Sequence, residues 1–115
     1  MPAQADLLPG TLDLLILKAV SLGRQHGYGV LLRIEQMSGG ALSIEQGALY
    51  PAMYRLERRS LLKTEWGVSD NNRKAKFYEL TPTGAKCLQE QTIGWNRLVS
   101  AMRFALNTRL EEAQI

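Results

Sequence analysis

The sequence predicts a mostly α-helical chain with one small β-hairpin and a long closing helix. Three observations predict it. Apolar residues recur at helical spacing in three separated segments before residue 57; a turn-rich stretch over residues 62–80 interrupts that period with strand formers; and a seven-residue apolar recurrence follows it.

The first helix is announced by Pro9-Gly10, with Thr11 as its expected cap, and runs to about Leu22 with Leu12, Leu15, Ile16, Ala19 and Val20 on one side. Residues 23–27 break the pattern. A second helix over residues 28–38 presents Val30, Leu31, Ile34 and Met37 to the core and stops at Gly39-Gly40. At its entrance, His26-Gly27-Tyr28-Gly29 combines glycines that permit tight geometry with an aromatic side chain that either packs inward, the favoured reading, or lines a pocket.

A third helix is expected to begin near Ile44, where Ser43-Ile44-Glu45-Gln46 has the form of a capping box. Advancing about 100° per residue from Leu49 places Ala52, Met53 and Leu56 within about 60° of it, an apolar stripe fit to sit on a core. Gly47, Tyr50, Pro51, Tyr54, Arg55 and Arg58 fall on the opposite side. Small residues let a backbone approach base edges, tyrosines offer a phenol and a flat ring, and arginines fork onto guanine or phosphate. An ordinary amphipathic surface helix would show the same two faces, so the segments after it carry the decision. Pro51 conflicts with a regular helix, because it removes the hydrogen bond to Gly47 at a cost of about 3 kcal/mol.

Leu62-Lys63-Thr64-Glu65-Trp66 alternates, residues 67–75 form a turn-rich loop ending in Arg73-Lys74, and Lys76-Phe77-Tyr78-Glu79-Leu80 favours a second strand. Thr81 can then cap a new helix with Pro82 at its first position, where a missing donor costs nothing. Helix, hairpin and helix in this order describe a winged helix-turn-helix, in which one helix enters the major groove and the hairpin lies along the neighbouring backbone or minor groove. Charge agrees. Residues 55–76 hold seven basic and three acidic side chains, a net of +4, against +3 for the whole chain, so the rest is about −1. Positive charge is thus gathered where phosphate contacts require it, although a solvated loop could carry it too.

The closing helix is expected over residues 83–110. Leu88, Trp95 and Met102 recur every seven residues, with Thr92, Val99 and Leu106 beside them. Such a seam meets either the same helix of a second copy, giving a twofold dimer through Leu88, Trp95, Val99, Met102 and Leu106, or the first helix of its own chain. Trp95 on this seam is read as a packing anchor, with the stacking of an aromatic ligand as the alternative. Residues 1–6 and those after Leu110 are expected to be disordered.

Composition excludes several classes. One cysteine, Cys87, allows no internal disulfide, and with one histidine a zinc site of the usual ligands is not expected; Cys87 is read as an incidental thiol. No apolar run approaches a membrane span, and no leader with a cleavage site is visible, so a cytoplasmic protein is expected. No nucleophile is paired with a general base and no phosphate loop is present, so neither an enzyme nor a cofactor is expected.

Four motifs together carry a resemblance: LDLLILKAV at residues 12–20, HGYG at 26–29, GALYPAMYRLERRSLL at 47–62 and RKAKFYELTPTG at 73–84. The chain resembles a short member of the PadR family of bacterial transcriptional regulators over residues 8–106. The resemblance implies a homodimeric winged helix-turn-helix protein, usually a repressor, that binds a palindromic operator in double-stranded DNA and is open to release by a small aromatic effector at the dimer interface. It places a DNA-binding unit over residues 7–82 and a dimerisation helix over 83–110 within one compact unit. It sets Gly47, Ala48, Tyr50, Pro51 and Tyr54 at the DNA, with Arg73, Lys74 and Lys76 on the wing; Gln46, Arg55 and Arg58 of the same helix are expected to join them as DNA-binding residues. Pro51 belongs to the family pattern. A single closing helix stands where longer members have a larger helical region. The competing reading is a winged-helix adaptor that binds an acidic protein instead of an operator.

Overall fold

The computed structural model describes Leu7 and residues 10–113. The chain runs α1 (Thr11–Ser21), β1 (Gln25–His26), α2 (Gly27–Met37), α3 (Gln46–Arg58), β2 (Leu62–Val68), β3 (Lys74–Leu80) and α4 (Pro82–Leu106), followed by a 3₁₀ turn at Leu110–Glu112. The expected mixture of helices with one hairpin is what forms. The expected disorder of residues 1–6 lies outside the described residues, whereas the 3₁₀ turn continues order past Leu110.

The core is built largely by the faces that periodicity selects, although Met37, expected on the buried face of α2, is 37% exposed at the last turn of that helix, and Leu17, not among the residues expected inside, is fully buried. Ile16, Leu17 and Val20 of α1, Val30 and Ile34 of α2, and Leu49, Met53 and Leu56 of α3 are essentially inaccessible to water, and Leu62 and Tyr78 close the cluster from the sheet. Burial of this kind contributes about 1.5–3 kcal/mol for each large side chain and is what holds three short helices together.

The sheet has the order β1-β3-β2, all antiparallel. Its first strand is a two-residue segment that sequence patterning does not reveal: Gln25 pairs with Tyr78 and His26 with Phe77. The hairpin is also longer than expected. β2 extends to Val68 and β3 starts at Lys74, so the turn shrinks to residues 69–73, closed by Ser69 N–H donating to Arg73 O at 2.8 Å and by Asn72 in the left-handed region at φ 58°. Asparagine tolerates that conformation, which lets a turn-rich sequence contribute residues to both strands.

Three local expectations fail. The capping box does not form, since α3 starts at Gln46 with Glu45 as its N-cap and no side-chain cap bond. Thr11 is the first helical residue rather than the cap; Gly10 at φ 85° occupies the N-cap position. Tyr28 does not pack inward, being 49% exposed, and the residue that organises the entrance to α2 is His26, whose Nδ1 accepts from Gly29 N–H at 3.0 Å. The expected cap of α4 does form: Thr81 Oγ1 accepts from Gly84 N–H at 2.9 Å while donating toward Ser60 O at 2.7 Å. This single hydroxyl joins the exit of α3 to the entrance of α4.

α4 ends at Leu106, before the expected residue 110, with Asn107 as its C-cap. Its 25 residues span about 38 Å. Leu88, near its beginning, packs against the chain's own core, so the first turns of the helix fold back on α1. Further along, Trp95, Leu98, Met102, Phe104 and Leu106 are exposed, Leu106 by 75%.

Candidate nucleic-acid interface

α3 divides its residues as its periodicity requires. Leu49, Ala52, Met53 and Leu56 are 0% exposed, while Gln46, Gly47, Ala48, Tyr50, Pro51, Tyr54, Arg55 and Arg58 all lie on the exposed side. The helix stays continuous through Pro51. The buried stripe fixes the rotation of the helix, and thereby aims the small, aromatic and basic residues outward as a set.

Within that face the side chains constrain one another. The Arg58 guanidinium lies 5.9 Å from the centre of the Tyr54 ring and its Nη1 donates to Tyr54 Oη at 3.3 Å. Arg55 Nη2 reaches Asp13 Oδ1 of α1 at 3.4 Å in an exposed pair, which is weak in water and readily exchanged for a phosphate. Tyr50 leans back over the start of α2, where a Cβ on Gly27 would meet its ring. Only glycine at 27 leaves that space.

The wing divides the three expected cations. Arg73 and Lys74 are exposed at and beside the turn. Lys76 is instead half-buried, its Nζ 2.9 Å from Glu57 Oε1. Thr64 Oγ1 donates to Glu57 Oε2 at 3.0 Å, so one carboxylate at the end of α3 holds both strands of the hairpin. The hydrogen bond from Lys76 holds the Glu57 carboxyl below its ordinary range, against a smaller opposing effect of burial, and the same bond raises Lys76. Burial pushes the Tyr78 phenol beneath them up. Sequence patterning missed this tether, because Glu57 reads as one more polar residue on a helix surface and its partners lie seven and nineteen residues away.

A second concave feature lies between α1 and α4. It is an open, apolar groove of about 560 Å³ lined among others by Leu14, Leu15, Leu42, Leu88, Thr92 and Trp95. The expected interface residues are therefore split: Leu88 and Trp95 line this groove, whereas Val99, Met102 and Leu106 lie farther along the projecting half of α4.

No helix among the described residues is long and apolar enough to cross a membrane. Comparison with known proteins agrees with the architecture. A PadR family transcriptional regulator from Eggerthella lenta superposes with a TM-score of 0.74 at 30% identity, covering 87% of this chain and 85% of that one. A transcriptional regulator from Clostridium thermocellum shares the fold, with a TM-score of 0.76 at 24% identity over 86% of this chain and 96% of that one. An uncharacterised protein of Lysinibacillus sphaericus is 26% identical over 92 residues, 80% of this chain and 84% of its own length. A family model for PadR-like transcriptional regulators matches residues 16–90, well over half of the chain, from the core of α1 through the outward face of α3 and the hairpin into α4; the protein belongs to the PadR-like family of transcriptional regulators.

Proposed function

We propose that the protein is a cytoplasmic repressor that binds a palindromic operator as a homodimer, with α3 in the major groove and the wing on the flanking backbone. The observation that carries this reading is the outward face of α3, where small, aromatic and basic residues lie opposite a stripe that is wholly buried. Tyr50, Tyr54 and Arg55 read or position bases around the close approach allowed by Gln46, Gly47, Ala48 and Pro51, while Arg58, Arg73 and Lys74 hold phosphates. Lys76 contributes to the same field from its place against Glu57.

The dimer forms through the exposed apolar residues of α4, since a contiguous apolar strip on a projecting helix requires a partner. Twofold symmetry then places half-sites about one helical turn apart. A planar aromatic ligand seated beside Trp95 in the α1–α4 groove releases the DNA. The expected signature is quenching of tryptophan fluorescence by such a compound that disappears in Trp95→Phe; quenching that survives the substitution moves the ligand elsewhere.

Selection of bound sequences from random DNA, followed by binding to the winner across a salt series, tests the central reading. A palindrome is expected, with affinity falling about 10³- to 10⁵-fold between roughly 50 and 200 mM salt for a dimer making about 6–10 phosphate contacts. Lys74→Ala should weaken all sequences alike, whereas Tyr54 or Arg55 substitutions should change the preferred sequence. A folded dimer that enriches no sequence would instead be an adaptor for an acidic protein.

A further inference from the structure

The wing carries apolar surface that phosphate binding does not require. Trp66 is 60% exposed and Val68 66%. Both share strand parity with Leu62 and Thr64, so all four side chains lie on one face of the sheet. The register sets Lys76 opposite Trp66 and Lys74 opposite Val68, and Lys74 Nζ sits 5.1 Å from the centre of the Trp66 ring.

Glu57 tells which way this face looks. Its carboxylate bonds Thr64 and Lys76, both on that face, so the face is turned toward the end of α3. Trp66 is the next residue of the same parity beyond Thr64. It therefore stands in the corner between the reading helix and the wing, with cations beside it, while the Glu57 charge is paired with Lys76. An apolar ring bracketed by lysines and continuous with a basic reading face suits a polyanion that also offers apolar surface, which is what the sugar-lined walls of a DNA groove provide.

We propose that Trp66, with Val68 beside it, is an apolar minor-groove contact, lying against the sugar edges of the groove that flanks the one occupied by α3 while Lys74 meets the adjoining phosphate. This rests on the operator-binding reading and adds to it a means of discrimination. Apolar side chains enter the minor groove best where it is free of the guanine amino group, so the wing would favour A·T pairs at positions the reading helix does not reach.

The test compares the parent protein with Trp66→Ala and Trp66→Phe on the selected operator duplex across a salt series, and on a duplex with inosine in place of guanine at the positions flanking the half-sites. Trp66→Ala is expected to weaken operator binding at least about tenfold at every salt concentration, the scale of losing one aromatic contact to nucleic acid, with the salt slope of the parent, because an apolar contact releases no counterions. Trp66→Phe should recover most of the loss, which separates lost contact from lost fold. Inosine should tighten the parent and leave Trp66→Ala unmoved. The proposal is overturned if Trp66→Ala binds within about twofold of the parent, the uncertainty of such comparisons, or if its loss comes with a flatter slope, since Trp66 would then merely hold Lys74 at its phosphate. Failure of the parent itself to bind any duplex refutes the operator reading first, and with it the minor-groove contact.

Discussion

Glu57 shows how much one side chain can settle. It lies one residue before the end of α3, and its two oxygens fix the hairpin to that helix through Thr64 and Lys76. Because the Lys76 hydrogen bond depresses its pKa, the contribution to stability is present above the ordinary carboxylate value near 4.5 and is lost as pH falls through the lower folded value. Lys76, raised above its ordinary 10.5, contributes its full share below 10.5 and loses it as pH rises through the higher folded value. Glu57→Gln should therefore cost about 0.5–1 kcal/mol near neutral pH in urea denaturation, and the difference from the parent should close in acid, where both side chains are neutral at position 57. A constant difference across pH would mean that the charge does not contribute. Gly27 bears on the proposed operator contact by a different route. A methyl there displaces the Tyr50 ring, which has room to move, so Gly27→Ala should leave thermal stability within about 1 kcal/mol, as for an ordinary helix position, yet reduce operator affinity by shifting a reading residue. Unchanged affinity would place Tyr50 outside the contact.

Helix α3 is an element in which local cost and external role diverge. Its interior proline forgoes the bond to Gly47 O, and its exit leaves Ser60 in the left-handed region at φ 60°, where Leu61 N–H returns to Leu56 O at 3.0 Å. Each departure predicts a substitution that stabilises the fold. Ser60→Gly should gain about 1 kcal/mol in urea denaturation by removing a Cβ from a conformation that disfavours it, and a loss there would show that the Ser60 side chain contributes more than its backbone strain. Pro51→Ala should gain about 1–3 kcal/mol by restoring the missing bond while weakening DNA binding, because the proline lies on the outward face. Greater stability without loss of binding would remove Pro51 from the reading surface. The helix tolerates both departures because its stability comes from Leu49, Ala52, Met53 and Leu56, all removed from water, rather than from its own backbone.

For the whole molecule the decisive quantity is how much of α4 a single chain can cover. Its first turns reach the core through Leu88, but Leu98, Met102 and Leu106 stand in water. Sedimentation equilibrium should give twice the 12.9 kDa of the chain, and the double substitution Val99→Asp with Met102→Asp should return it to one chain while the helical signal of the winged unit persists. A monomeric parent would dispose of the dimer. The fold itself was legible from one dimension, because each helix that builds the core repeats its apolar residues at the period of its own turn and because Thr81-Pro82 marks a helix start by chemistry local to those two residues. The outward set on α3 followed from the same periodicity, since fixing the buried stripe fixes its opposite. Where the reading failed, the determinant was not local. β1 is two residues long and exists only because β3 offers it an edge, the capping box lost to a loop that places Glu45 at the helix start, and Tyr28 is left in water while Gly27 beside it meets Tyr50 from another helix. The sequence by itself determined most of the buried stripe of each core helix and which element would present a basic, aromatic face, because side-chain periodicity is a property of the chain. Only the tertiary structure decided that Lys76 would be held by Glu57 and that Trp66 would stand 60% exposed opposite Lys76 on the sheet face that Thr64 shares, because those outcomes depend on distances between residues that the chain order leaves far apart.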